Sequence, residues 1–189
     1  GTLNSTAAGS FDSFNPYIVQ GSPAAGFSPF GGGLLYDTLM EQATDEPSTS
    51  HALLADAYKH PDDFSSATYR LDPRAKWHDG RPITVEDVIW SFDTLKRLHP
   101  QWNAYYRNVE KAEKTSEREV TFTFDQTGNR ELPQIISDLT VLPKHYWEGR
   151  EFAKTTLEIP LGSGPYRISN VKPGRSISSE RENDYWAKD

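Results

Sequence analysis

Apolar residues between positions 84 and 97 recur every three or four places, which is the spacing of one face of an α-helix. They are Val85, Val88, Ile89, Phe92 and Leu95. Thr84 stands just before this run, and Asp87 follows three residues later, where its carboxylate can reach back to the cap and oppose the helix dipole. Lys96 and Arg97 lie at the end that favours positive charge. The pattern predicts a capped helix with one buried face.

A second pattern alternates between apolar and polar positions, as a strand with one buried face does. Across 120–124, Val120, Phe122 and Phe124 point to one side, and the two threonines between them point to the other. This strand and the segment 109–114, with a short polar stretch between them, predict a β-hairpin.

Less regular patterns predict the remaining elements. Proline, glycine or clustered polar residues end most of them, and His99-Pro100 breaks the chain after the capped helix. Helices mixed with antiparallel hairpins favour an α+β or mixed-sheet α/β fold. These elements are strands at 3–7 and 68–71, a loop at 10–30, a helix end running into a strand at 33–40, a loop at 41–50, a helix at 51–58, an exposed turn at 62–63, a turn at 77–82, a polar aromatic segment at 101–108, a helix at 131–139, and a hairpin of 164–170 with 176–181.

Composition narrows the function classes. The chain has 189 residues, 35% of them hydrophobic, with a net charge of −7 and a pI of about 5.2. No basic run is visible, so we expect no nucleic-acid partner. The sequence has no apolar run of membrane-spanning length, and residues 1–4 lack the features of a signal peptide, which fits a trimmed or a cytosolic chain. The absence of cysteine fits either a reducing or an oxidising compartment.

The sequence contains residue types that are common in catalytic sites, but their spacing here fits structural roles. Glu86 and Asp87 are neighbours on a helix and point about 100° apart, so they cannot act together on one substrate. His78 has no second histidine at metal-ligand spacing, and the Gly-Ser-Gly at 162–164 lacks the spacing of a nucleophile elbow. The glycines at 31–33 are not followed by the Lys-Ser/Thr of a phosphate-binding loop. We therefore expect no enzyme activity, no metal and no cofactor.

One dense run of residues carries a family resemblance. It reads YRL at 69–71, KWHDGRPIT at 76–84, EDV at 86–88 and SF at 91–92, and it is supported by FDSFNP at 11–16, GSGPY at 162–166 and NDYW at 183–186. In this order these motifs resemble the extracellular solute-binding proteins of family 5, which are peptide, nickel and oligosaccharide receptors of bacterial ABC importers. The sequence of residues 45–80 is most similar to the YejA-like subgroup of peptide and microcin C receptors.

The resemblance implies a periplasmic binding protein type II-like α/β fold with a mixed sheet, present as a partial lobe plus an inserted α+β accessory domain. It assigns residues 1–33 and 143–189 to the ligand-binding lobe and residues 34–142 to the inserted domain. Family members have two lobes, so the second lobe and the C-terminal return to the first are expected outside this chain. The resemblance thus identifies the chain as an N-terminal fragment.

The resemblance also implies a function. The expected protein is a periplasmic receptor, most simply a monomer, that captures peptides or peptide-like compounds for the membrane permease of an ABC importer. A glycan or nickel receptor of the same family is the alternative. A peptide hydrolase is a third hypothesis, which the lack of a nucleophile–base or metal set disfavours.

The first segment that the resemblance predicts to contact the ligand is the loop at 19–23, because the matching loop of peptide receptors contacts the peptide backbone. Gln20 offers both a carbonyl and an amide, Gly21 permits close approach of a second backbone, and Ser22 follows them. Main-chain bonds of this kind suit an extended peptide. A solvent loop without function is the alternative.

The second predicted contact segment follows the capped helix and is matched by Trp102, Tyr105 and Tyr106. Tyrosine and tryptophan rings can pack on a peptide while their polar tips form a hydrogen bond. The alternative is that one of the tyrosines is a core residue. In the family, the acid that binds the peptide's amino terminus lies in the second lobe.

Overall fold

The chain forms eight short strands and four helices across the residues that the structure describes. These residues, in a computed structural model, are 1–4, 9–24, 34–46, 49–173 and 175–188. The strands are β1 Met40–Gln42, β2 Ser50–Ala52, β3 Ala55–Lys59, β4 Ser66–Leu71, β5 Val109–Lys114, β6 Glu119–Phe124, β7 Tyr166–Lys172 and β8 Ser176–Arg181. The helices are α1 Val85–Leu98, α2 Pro100–Tyr105, α3 Glu131–Ser137 and α4 Lys144–Trp147.

Four antiparallel strands form the main sheet, in the order β3-β4-β6-β5. Val120, Phe122 and Phe124 of β6 are buried, as their alternation predicts. Tyr69 of β4 packs edge-on against Phe122, with 6.0 Å between the ring centroids. The predicted hairpin of β5 with β6 is confirmed, and so is that of β7 with β8, which stand apart as a two-stranded sheet.

Helix α1 carries the cap that the sequence predicts. Thr84 Oγ1 accepts a hydrogen bond from the Asp87 amide at 3.3 Å, and the Asp87 carboxylate accepts one from the Thr84 amide at 2.9 Å. These two bonds form a capping box that satisfies donors of the first turn. On the apolar face Val88 is buried, and the Phe92 ring lies 5.5 Å from the Phe122 ring. The helix therefore packs its apolar face on the main sheet.

The segment 41–58 differs from its prediction. The loop predicted at 41–50 lies between β1 and β2, which pair with each other. The segment 51–58, predicted as a helix, contains parts of β2 and β3 instead. Ala55 and Tyr58 pair with residues of β4. This segment is too short to hold a helix by itself, so pairing with a strand farther along the chain decides its structure.

Two predictions near the N-terminus fall partly outside the described residues. Of the strand predicted at 3–7, Leu3 and Asn4 are not in a strand, and Leu3 is 94% exposed, whereas 5–7 lies outside the described part. The predicted loop is irregular over 10–24, and its remainder, like the glycines at 31–33, lies outside the described part.

Three later predictions need smaller corrections. Within the described residues from 34 onward, the segment 33–40 contains a turn and the first residue of β1 but no helix. The segment 101–108 contains most of α2, a helix that begins at a proline, Pro100. The helix predicted at 131–139 ends two residues early, at Ser137.

Two paired segments, 34–39 and 139–142, connect the main sheet to the rest of the chain, and we call them the crossing. Thr38 and Thr140 form an antiparallel bridge within it. Buried residues on both sides of the crossing belong to one hydrophobic cluster. The division into residues 1–33 with 143–189 and residues 34–142 remains a prediction, and the two predicted parts share a core.

Candidate functional site

The loop that carries Gln20 is closed by the residues that precede it. Asp12 Oδ1 accepts a hydrogen bond from the Ser22 amide at 2.8 Å, and the Asp12 amide donates to the Ser22 carbonyl at 2.9 Å. Ser13 and Pro23 form a parallel bridge beside them. The loop is therefore fixed at its base, and its tip projects from a defined position.

Gln20 and Gly21 are exposed at this tip, and Ser22 at the base is exposed as well. Gly21 has a φ of 133°, and a Cβ on it would lie 2.8 Å from Thr155 Cγ2 and 2.9 Å from Asp12 Oδ1. The glycine is required by the packing of the loop itself, which is a structural reason for its presence. A ligand role for the three residues stays a prediction.

The two neighbouring tyrosines at the end of α2 face opposite ways. Tyr106 is fully buried, stacked on Trp102 with 5.5 Å between ring centroids and 5.5 Å from the Phe92 ring. Tyr105 is 41% exposed. Burial raises the pKa of both phenols, so both are neutral near pH 7. Trp102 and Tyr106 thus lie in the core, and Tyr105 is the member of this set that a ligand can reach.

An open groove of about 410 Å³ lies between α2 and α3 beside Tyr105. Leu132 and Ile135 form an apolar part of its lining, and Gln101 and Asn129 contribute polar groups. Pockets that bind small ligands combine apolar walls with a few polar groups in this way. The groove gives Tyr105 a setting that suits an amphipathic ligand.

Tyr17 links the two predicted contact segments. It precedes Gln20 by three residues, and its ring centroid lies 6.2 Å from that of Trp102. Burial raises the pKa of its phenol, although a hydrogen bond with the Thr140 side chain acts in the opposite direction. Tyr17, just before the Gln20 loop, therefore packs against Trp102, which lies in the same helix as Tyr105.

Three of the family-typical motifs meet in a junction. The His78 amide donates to the Gly162 carbonyl at 2.9 Å, and His78 Nε2 lies 2.7 Å from the Gly164 carbonyl oxygen. Lys76 Nζ pairs with Asp184 Oδ2 at 2.5 Å. The histidine and the acid in these motifs therefore hold chain segments together.

The glycines of this junction pass directly beneath the crossing. The amides of Ser163 and Gly164 both donate to the Leu35 carbonyl at 2.9 Å. A Cβ on Gly164 would lie 2.7 Å from the Leu34 carbonyl oxygen, and a Cβ on Gly162 would overlap the Leu35 carbonyl oxygen. Both glycines are needed for this close approach of two backbones.

Asp37 is a buried acid that the sequence patterns do not single out. Its carboxylate accepts hydrogen bonds from the Tyr185 hydroxyl and from Trp186 Nε1, each at 2.9 Å. Burial raises its pKa to about 6, although these bonds favour the charged form. The one signal in the sequence is an acid inside the apolar run at 34–40.

Two features are absent from the described residues and bear on other functions. None of the helices there is long and apolar enough to cross a membrane. The same residues contain no group of three or more His, Cys, Asp or Glu side chains placed to hold a metal ion.

Solved structures define the class of fold. The oligopeptide-binding protein AppA from Bacillus subtilis, in complex with a nonapeptide, matches with a TM-score of 0.75 at 23% identity, over 95% of this chain and 36% of that one. NikZ from Campylobacter jejuni, in complex with Ni(L-His), matches with a TM-score of 0.76 at 19% identity, over 96% of this chain and 35% of that one. At these identities the likeness shows the fold alone, which is part of a lobe of a type II periplasmic binding protein, as predicted.

The chain belongs to the bacterial extracellular solute-binding proteins of family 5, whose middle region matches residues 49–189. Probable peptide-binding protein YejA from Agrobacterium fabrum is 48% identical over 196 residues, which cover 100% of this chain and 31% of that protein. Peptidoglycan-binding protein YepA from the same organism is 41% identical over 194 residues, covering 100% and 32%. The chain thus spans about a third of the length of these relatives. The family resemblance is confirmed, and proteins of this family are transport receptors rather than enzymes.

Proposed function

We propose that this chain is the part of a peptide-binding receptor of an ABC importer that presents the Gln20 loop and Tyr105 to the ligand. The receptor is a periplasmic monomer that captures oligopeptides or peptide-like compounds and passes them to a membrane permease. Residues 1–33 and 143–189 belong to its ligand-binding lobe, and residues 34–142 form its accessory domain. Its binding chemistry needs neither a metal nor a cofactor, and it involves no nucleic acid.

The observation that carries this proposal is the position of Tyr105. Its exposed ring borders the groove between α2 and α3, and the contact of Trp102 with Tyr17 ties it to the loop of Gln20. A ring with a polar tip can pack on a peptide side chain, while an amide side chain and an exposed loop backbone can bond to the peptide main chain. The relative named as a probable peptide-binding protein supports the same ligand class.

A receptor for a glycan-containing or nickel ligand is the second candidate. Its support is the relative named for peptidoglycan binding and the likeness in fold to a nickel-complex structure. The peptide candidate is favoured because the relative named for peptides is more similar in sequence than the one named for peptidoglycan, 48% against 41% identical. A peptide hydrolase is disfavoured because family 5 consists of transport receptors.

Native mass spectrometry tests the ligand class directly. The sample is a receptor of the relatives' length that carries this chain, purified without refolding so that it retains its ligand. Retained masses that fragment as amino-acid chains support the proposal. Masses that fragment as sugars without peptide, or a nickel isotope pattern, support the second candidate and contradict the first.

A pair of matched tyrosine variants tests the site in the same receptor. Tyr105→Ala removes an exposed ring beside the groove, so we expect peptide binding to weaken by about 1 kcal/mol or more, with little change in melting temperature. Tyr58→Ala is the control, because Tyr58 on β3 is 46% exposed and does not line the groove. Isothermal titration measures both. Equal affinities for the two variants and the unmodified receptor would contradict the assignment of Tyr105.

A further inference from the structure

The carboxylate of Asp37 is held by residues that follow it by more than 120 positions. Besides the bonds from the Tyr185 hydroxyl and Trp186 Nε1, it interacts with the Ser163 hydroxyl, and the Asp37 amide donates to Ser163 Oγ at 3.0 Å. We call these four residues the Asp37 clasp. Both the backbone amide and the side-chain carboxylate of Asp37 therefore form hydrogen bonds within the clasp.

The clasp fastens the segment 182–186 onto the crossing. Asp37 lies within the crossing, and its carbonyl accepts a hydrogen bond from the Val141 amide at 3.1 Å. The Glu182 amide donates to the Pro165 carbonyl at 2.8 Å, which anchors the other side of the same segment. The clasp therefore ties the end of the described chain to the segment 34–39, which is itself hydrogen-bonded to 139–142 within the crossing.

The electrostatics of the clasp are unusual, because its buried carboxylate is held by neutral donors. Asp37 is 2% exposed, and phenol, indole and hydroxyl groups stabilise its negative charge less than a cation would. Burial also penalises the charge. The charged groups on the elements around it are Glu41 on β1, whose charge opposes ionisation of Asp37, Glu182 with Arg167 at 3.7 Å, and the Lys76–Asp184 pair.

We propose that the Asp37 clasp is a pH-responsive tie, which holds the segment 182–186 on the crossing most tightly in mild acid and loosens as the carboxyl group ionises. In the closed form the acid is buried, and in the open form water solvates it. Ionisation therefore favours the open form. The chain as a whole stays folded in both forms, because Trp186 only packs against the edge of the shared hydrophobic cluster, and the fully buried members of that cluster lie outside the clasp.

The direction and size of the effect follow from proton linkage. The pKa of Asp37 is about 6 in the closed form, against an ordinary value of 3.8 in the open form. Below the lower value both forms are protonated, and above the upper value both are ionised, so the opening equilibrium is constant in both ranges. Between them the closed form holds more protons, so opening increases with pH, by about 100-fold in total for a difference of about two pKa units.

Exchange of the Trp186 indole N–H measures this opening, because that hydrogen is the one donated to Asp37. We expect its protection in the 189-residue chain, corrected for the intrinsic exchange rate, to fall by about 50-fold between pH 4 and pH 7, which is most of the total change. Protection of the Phe122 amide in the main sheet should change little over the same range. A flat profile at Trp186 would overturn the proposal.

Asp37→Asn is the matched variant, since it keeps the size of the side chain and removes its titration. We expect the pH dependence at Trp186 to disappear in this variant. Glu41→Gln is the control that keeps the pH dependence, with its midpoint shifted slightly down because one neighbouring negative charge is lost. If Asp37→Asn retains the profile of the unmodified chain, another acid titrates and the proposal is wrong.

A direct titration keeps the proposal testable if Asp37→Asn does not fold. The side-chain carboxyl carbon of Asp37, followed by ¹³C NMR in the unmodified chain, should titrate about two pH units above the ordinary aspartate value of 3.8. A midpoint near 3.8 for Asp37 would overturn the proposal on its own.

Discussion

Phe92 is the residue on which the packing of α1 most depends. It is 1% exposed, and its ring lies 5.5 Å from both Phe122 and Tyr106. Phe92→Ala removes the ring from a site that the sheet and α2 hold open, so we expect a loss of about 3–5 kcal/mol in the free energy of unfolding. Urea denaturation measures it.

Arg97→Ala provides the comparison for this prediction, because Arg97 is an exposed residue of the same helix. We expect its effect to stay within about 0.5 kcal/mol. A loss below about 1 kcal/mol for Phe92→Ala would mean that the apolar face of α1 is not the one that packs on the sheet.

Tyr105 and Tyr106 show what sequence settles at the level of single residues. Two neighbours on a helix cannot point the same way, and the sequence favours a ligand-facing position for at least one of them. It cannot choose between them, because the choice depends on Phe92 and Trp102, which reach Tyr106 only in the folded chain. Asp37 escaped prediction for a similar reason, since its partners lie far along the chain.

At the scale of elements, local signals made the difference between right and wrong predictions. Helix α1 was predicted almost to its ends, because its period, cap and terminal charges all lie within its own sequence. The segment 51–58 was predicted wrongly, because its strand character comes from pairing with β4. Tertiary pairing overrides weak local preference in short segments of this kind.

The capping box of α1 yields an ordered pair of variants. Thr84→Ala removes one side-chain acceptor, and we expect it to cost about 1 kcal/mol in the free energy of unfolding. Asp87→Ala should cost more, because Asp87 is buried and also accepts a hydrogen bond from the Lys144 amide at 2.9 Å. Thermal denaturation of both variants, with Thr84→Ser as the conservative control, checks the order. A larger loss for Thr84→Ala would show that the contact with Lys144 contributes little.

At the scale of the whole molecule, family membership was accessible from the sequence, whereas the ligand was not. The motifs at 69–92 suffice for the family because they are dense and in order, and the structure shows them building a capped helix and a junction. Ligand choice depends on a complete cleft. The chain spans 31% of the length of the relative named as a probable peptide-binding protein, so the physical basis of ligand choice extends beyond the residues from which it could be predicted.

The proposed function predicts weak binding by the 189-residue chain itself. A receptor that closes around its ligand buries most of the ligand's surface, and one open face provides only part of those contacts. We expect the chain alone to bind oligopeptides with a dissociation constant above 1 μM, the order reached with about −8 kcal/mol. Titration of the chain and of a receptor of the relatives' length, with the same peptide, measures the difference. Micromolar or tighter binding by the chain alone would contradict this prediction.

The two glycines beneath the crossing also set a limit on how this sequence can vary. A carbonyl oxygen of the neighbouring segment occupies the space in which any other residue would place its first side-chain atom, at Gly162 as at Gly164. Even alanine, the smallest replacement, would need the crossing to move as a unit. The backbone of Leu34 and Leu35 therefore restricts substitution of both glycines, whatever side chains positions 34 and 35 carry.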